Sequence, residues 1–151
     1  MSKRVVVSGG FDPVHVGHLR MFKEAAKLGE LTVVINSDPW LQRKKGYIFM
    51  PWEERAEIIS AFECVSEVEM AVDFDNTVCS SLEHIKPDIF ANGGDRGATN
   101  TPESRVCDRL GIEMVYNVGG GKVRSSSTLV NGATTSKRIL DNRKFAEESA
   151  Y

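Results

Sequence analysis

Apolar residues along the 151-residue chain fall into short unbroken runs that alternate with stretches of helical period. The runs Arg4 to Ser8, Leu31 to Asn36, Val68 to Val72, Asp88 to Asn92 and Glu113 to Tyr116 read as strands, being too short for helices. Between them, Leu19, Phe22, Ala25 and Ala26 share one helical face within His18 to Leu28, and Trp52, Ala56, Ile59 and Phe62 share another. A helix over Thr77 to Ile85 ends before Pro87, and Pro102 opens one that runs to Leu110 and is closed by Gly111. Helical patterns also follow Ser127 and span Ser136 to Glu148, with a polar, fraying tail over 142–151. Strands separated by helices at this spacing imply right-handed crossovers. The pattern predicts the α/β class: a single Rossmann-like domain over 1–151, with a doubly wound parallel five-stranded sheet and helices on both faces.

In such a sheet ligands bind beyond the carboxyl ends of the strands. Function is therefore expected after Ser8, Asn36, Asn92 and Tyr116. The chain after the first strand reads Ser8-Gly9-Gly10-Phe11-Asp12-Pro13-Val14-His15-Val16-Gly17-His18-Leu19. Gly9 and Gly10 let backbone amides approach a ligand closely, and Gly17 lets a phosphate sit against the helix start. The helix N-terminus adds free N–H groups and a partial positive charge. Imidazoles at His15 and His18 can donate hydrogen bonds to phosphate oxygens. A tight turn with two incidental histidines is the plainer alternative, but turn, glycines, histidines and helix start coincide at the predicted crevice. Neither G-x-G-x-x-G nor G-x-x-x-x-G-K-[ST] occurs here.

The other strand ends carry weaker signals. Arg43-Lys44-Lys45-Gly46 reads as a basic loop that either closes over an anion or is a solvated charge cluster. Pro51, Glu53 and Glu54 suit a helix start, and the Arg55 guanidinium suits a phosphate. Asn92-Gly93-Gly94-Asp95-Arg96 is a second glycine turn. The hydroxyls of Ser125 to Thr128 follow a third; they cap a helix or meet phosphate oxygens.

Bulk properties narrow the partners. The net charge of −2 gives no basic field for nucleic acid or an anionic membrane. No run approaches the roughly 18 apolar residues of a membrane span, and Met1-Ser2-Lys3-Arg4 leads straight into the first strand, so a cytoplasmic protein is expected. Cys64, Cys79 and Cys107 are odd in number and far apart, which fits reduced structural thiols. No cluster of metal ligands is evident, and His84 has no partner in sequence.

The stretch Gly10-Phe11-Asp12-Pro13-x-His15-x-Gly17-His18 resembles the signature of the cytidylyltransferase-like nucleotidyltransferases, and the resemblance runs from about Val5 to Leu129. It implies transfer of a nucleotidyl group from a nucleoside triphosphate to a small phosphate-bearing acceptor, with release of pyrophosphate. It makes His15 and His18 catalytic, with a loop lysine: Lys45, or Lys44 one residue away. It assigns nucleotide contacts to Gly9, Gly10, Phe11, Asp12, Gly17, Lys44, Gly94 and Asp95. Ser126, Ser127 and Thr128 join them in a register that stays open, because Arg124 stands where many members have Ile. Arg55, Asp38 and Arg96 fall to the acceptor. Mg²⁺ is expected to arrive on the nucleotide, with no dedicated metal ligands.

The motifs look closest to adenylyltransferases acting on heptose 1-phosphate, which favours ATP and a sugar 1-phosphate. The polar residues between Asp95 and Ser104 depart from that pattern. A cytidylyltransferase using CTP and glycerol 3-phosphate is the alternative, and a non-catalytic nucleotide-binding domain the alternative of another class. The resemblance also implies a homodimer.

Overall fold

Arg4–Gly9 forms β1, whose three valines are completely buried because both faces of the strand are covered. Burial of each contributes roughly 1.5–3 kcal/mol. The computed structural model describes residues 3–72, 77–93, 101–116, 118–119 and 130. After β1 come α1 (Val16–Ala26), β2 (Glu30–Ile35), α2 (Asp38–Lys45), α3 (Trp52–Ser60) and β3 (Glu67–Met70). They are followed by α4 (Cys79–Ile85), β4 (Ile89–Ala91), α5 (Pro102–Leu110) and β5 (Glu113–Val115).

All strand pairs are parallel, in the order β3-β2-β1-β4-β5. The chain builds outward from β1 to β3, then returns to the other side of β1 for β4. The switch point lies between β1 and β4, where the crossovers leave a crevice beyond the strand ends. Alternation along β1 sorts the core. Val5 and Val7 face Phe22 and Ala25 of α1 and Ile59 of α3. Val6 faces the opposite layer, with Leu82 of α4, Phe90 of β4 and Cys107 of α5. This is the doubly wound α/β sheet with helices on both faces that the alternating pattern predicts.

Local signals place the helix ends. Thr101 caps α5 by accepting from the Ser104 amide at 3.1 Å, and Gly111 closes it in the left-handed region. Two expectations are corrected. The first helix starts at Val16, not His18, because His15 itself is the cap. The stretch Arg43 to Lys45 is the last turn of α2 rather than a loop. Ser37 caps that helix, Pro39 sits in its first turn, and Gly46 ends it at φ 81°. Cations in a last turn complement the helix dipole. The helical patterns expected beyond Ser127, apart from Val130, lie outside the described residues, as does the tail 142–151.

Candidate active site

The turn between β1 and α1 holds the two histidines by hydrogen bonds that fix their chemistry. Nδ1 of His15 accepts the Gly17 amide at 3.1 Å, and Nδ1 of His18 accepts the His15 amide at 3.1 Å, a reciprocal capping box. A nitrogen that accepts a hydrogen bond carries no proton, so in each neutral ring the proton sits on Nε2. Both rings therefore present an Nε2–H donor. The rings stack with centroids 3.8 Å apart, so the donors work side by side at the positive end of α1.

Three neighbours set that geometry. Phe11, at φ 53° and buried, packs in a T-shaped arrangement with His18 and with Phe22, ring centroids 4.8 Å and 5.2 Å apart. Gly17 passes beneath the His15 ring: a Cβ there would stand 2.9 Å from Cε1 and 3.1 Å from Nδ1. The His15 ring thus accounts for glycine at 17. Asp12 is completely buried and accepts the backbone amides of Phe49 at 2.6 Å and of Met50, across the segment before α3. Its carboxylate is a tie between two loops, which corrects its expected role as a nucleotide contact.

Arg55 is corrected in the same way. Its side chain is 0% exposed, so it does not face an acceptor. Nε donates to the Met50 carbonyl at 2.9 Å, and Nη1 donates to the carbonyls of Gly10 at 2.7 Å and Asn36 at 2.8 Å. Nη2 meets Asp38 Oδ1 at 2.6 Å. One guanidinium thus joins the ends of β1 and β2, the start of α2 and the start of α3. Asp38, expected at the acceptor, is its partner.

Lys44 is exposed and Lys45 half-buried, both in the last turn of α2. Among the described residues neither side chain holds an ion pair or hydrogen bond, and no contact joins them to the histidines. Gly9 and Gly10 stand at the end of β1, with Gly9 packed on the Phe11 ring and Gly10 on Leu41. Gly94, Asp95, Arg96, Ser126, Ser127 and Thr128 lie outside the described residues.

A cavity of about 240 Å³ opens beyond the strand ends, at the switch point. Ser8, Asn36 and Asn92 line its floor, and Trp40 of α2 and Tyr116 form part of its walls. Met21 of α1 borders it one turn on from His18, about 4.5 Å along the helix on the same face. Glu103 and Thr101 enter it from the start of α5. Among the described residues no lysine, arginine or histidine lines it. Sequence reasoning missed Trp40, Tyr116 and Glu103. Their positions just past β2 and β5 and at a helix start were the available signal. Among the described residues no group of three metal-ligating side chains occurs, and no helix is long and apolar enough to cross a membrane.

Comparison with known proteins agrees with this geometry. The family described as cytidylyltransferase-like matches residues 6–148. The chain is 37% identical over 144 residues to the bifunctional protein HldE of Syntrophotalea carbinolica, covering 91% of this chain and 27% of that protein. The chain thus spans about a quarter of the HldE protein's length. It is 32% identical to the FAD synthase of Methanopyrus kandleri, covering 75% of this chain and 77% of that one. A lipopolysaccharide core biosynthesis protein from Thermoplasma volcanium superposes with a TM-score of 0.65 at 30% identity, over 77% of this chain and 96% of that one.

Proposed function

The chain belongs to the cytidylyltransferase-like nucleotidyltransferases, and from that membership we propose that it transfers the adenylyl group of ATP to the phosphate of a small sugar phosphate. The observation that carries the reading is the stacked His15–His18 pair, with both Nε2–H donors at the positive end of α1. The HldE and FAD synthase relatives favour adenylyl over cytidylyl transfer.

In the proposed reaction an acceptor phosphate oxygen attacks the α-phosphorus in line. A new P–O bond forms, the bond to the bridging oxygen breaks, and pyrophosphate departs with that electron pair. Charge builds on the α-phosphate oxygens and on the leaving group. The histidine donors and the α1 amides meet the first, and the Lys44–Lys45 turn of α2 is assigned to the second. Mg²⁺ carried on the triphosphate would supply charge neutralisation there.

The relatives offer two acceptor classes, a sugar phosphate and a flavin. The cavity favours the sugar. At about 240 Å³ it lies below the roughly 300 Å³ at which pockets for drug-sized ligands begin. Its polar walls are the amides of Asn36 and Asn92, the hydroxyls of Ser8, Thr77, Thr101 and Tyr116 and the carboxylate of Glu103, set among Met21, Val78, Phe90, Met114 and Trp40. These polar groups suit a polyhydroxyl ring. Pyrophosphate release with ATP and a sugar 1-phosphate tests the reading. Release with CTP and glycerol 3-phosphate alone would keep the chemistry and replace both substrates.

A further inference from the structure

The cavity contains one charged group among its described lining residues, and that group has the wrong sign for a phosphate. Glu103 lines the cavity from the second position of α5. The Thr101 hydroxyl accepts from the Ser104 amide at 3.1 Å, and the Ser104 hydroxyl donates to the Thr101 carbonyl at 2.8 Å. That reciprocal pair fixes the turn from which Glu103 projects. Among the described residues no cation or hydrogen-bond donor engages its carboxylate. A place in the first turn of a helix makes an acid tolerable. It does not account for an acid facing a cavity whose other polar walls are amides and hydroxyls.

We propose that Glu103 is a specificity-determining residue of the acceptor site: it accepts hydrogen bonds from the hydroxyls of a neutral sugar and excludes acceptors bearing a second negative charge near the ring. The inference rests on the reading that the acceptor is a sugar phosphate. A carboxylate has two oxygens that accept from adjacent hydroxyls, and hydrogen bonds to a charged group are the stronger kind. Asn36, Asn92, Thr77 and Tyr116, on the same walls, supply matching donors and acceptors. Among the described residues no cation lines this space, and the acceptor phosphate is placed outside it, toward the histidines one helical turn along α1. The cavity thereby divides the acceptor: ring inside, phosphate at the reacting end.

The test is calorimetric binding of glucose, mannose and heptose 1-phosphates, and of glucuronic acid 1-phosphate, in the presence of a non-hydrolysable ATP analogue, for the wild type, Glu103→Gln and Glu103→Asp. Pyrophosphate release is measured alongside. We expect at least one neutral sugar phosphate to bind the wild type and to bind E103Q about tenfold or more weakly. Analogue affinity should be unchanged, and E103Q should narrow the gap between the neutral sugar and the uronic acid. E103D, which keeps the charge, should restore part of the preference. Equal sugar binding by E103Q overturns the proposal, as does a loss confined to the ATP analogue or wild-type binding of the uronic acid as tight as that of the neutral sugar. Absence of any sugar binding to a wild type that still binds the analogue also overturns it. Sugar binding that E103Q weakens, without pyrophosphate release by the wild type, would uphold Glu103 and sink the transfer reaction.

Discussion

Nη2 of Arg55 lies 2.6 Å from Oδ1 of Asp38, an ion pair that joins α3 to the start of α2 with the arginine side chain completely buried. The remaining guanidinium bonds go to carbonyls of Gly10, Asn36 and Met50. Removing the arginine strands a carboxylate and three carbonyls at once. Loss of one partner of a buried pair costs about 3–5 kcal/mol. Arg55→Ala should fall in that range in urea denaturation, and Arg55→Lys should recover little, since an ammonium cannot reproduce the fork. A variant with full stability but a raised acceptor KM would restore Arg55 to substrate binding.

The histidine pair separates structure from chemistry. Asparagine at 18 keeps an acceptor for the His15 amide near the position of Nδ1, but it carries no donor where Nε2–H stands. His18→Asn should therefore stay within about 1 kcal/mol of wild-type stability, the net value of an ordinary hydrogen bond. Its kcat should fall about a hundredfold or more, the scale of losing one oxyanion donor. His15→Ala should lose as much. Turnover retained in either variant, with circular dichroism unchanged, would remove the histidines from the reaction.

Gly17→Ala tests the close approach of His15. Alanine favours a helix over glycine, so melting temperature should hold or rise slightly. The new methyl must push the His15 ring aside, because its nearest ring atom would be 2.9 Å away. A displacement near 1 Å can cost about a hundredfold in rate. Assay and thermal melt together check this: a stable and fully active G17A would show that the ring position is not critical.

Burial raises the Cys107 thiol from an ordinary 9.0 to about 11, with nearby Cys79 and Glu103 adding to the effect. In that window the unfolded chain has released the proton that the folded chain still holds. Stability should therefore fall as pH rises from about 9 toward 11. Denaturant midpoints at pH 8 and 10 measure the loss, and Cys107→Ala should flatten it. An unaltered slope in that variant would assign the alkaline loss to other groups.

Much of the fold could be read from residue pattern because its signals are local. Unbroken apolar runs marked the strands, and Pro102 with Gly111 bracketed α5. The Gly10–His18 stretch pointed to the family by its order alone. The α2 turn was misread because Arg43-Lys44-Lys45 is polar throughout, although Ser37 before Pro39 carried a helix-start signal. The burial of Arg55 was hinted at by spacing, since it shares a helical face with Trp52, Ala56 and Ile59. What no pattern supplied was its partners: Gly10 is 45 residues away, and the amides held by Asp12 are 37 and 38 residues away. Such ties depend on the packed fold. The cavity walls are similar, since Trp40, Glu103 and Tyr116 come from separate elements and meet only at the sheet's carboxyl edge.

The most direct test of the central claim is pyrophosphate release with Mg²⁺, ATP and CTP being tested separately against sugar 1-phosphates and glycerol 3-phosphate. The account predicts release with ATP and a neutral sugar 1-phosphate, cut about a hundredfold or more in His18→Asn. Release only with CTP, or an ATP-dependent release undiminished by the loss of His18, would contradict it.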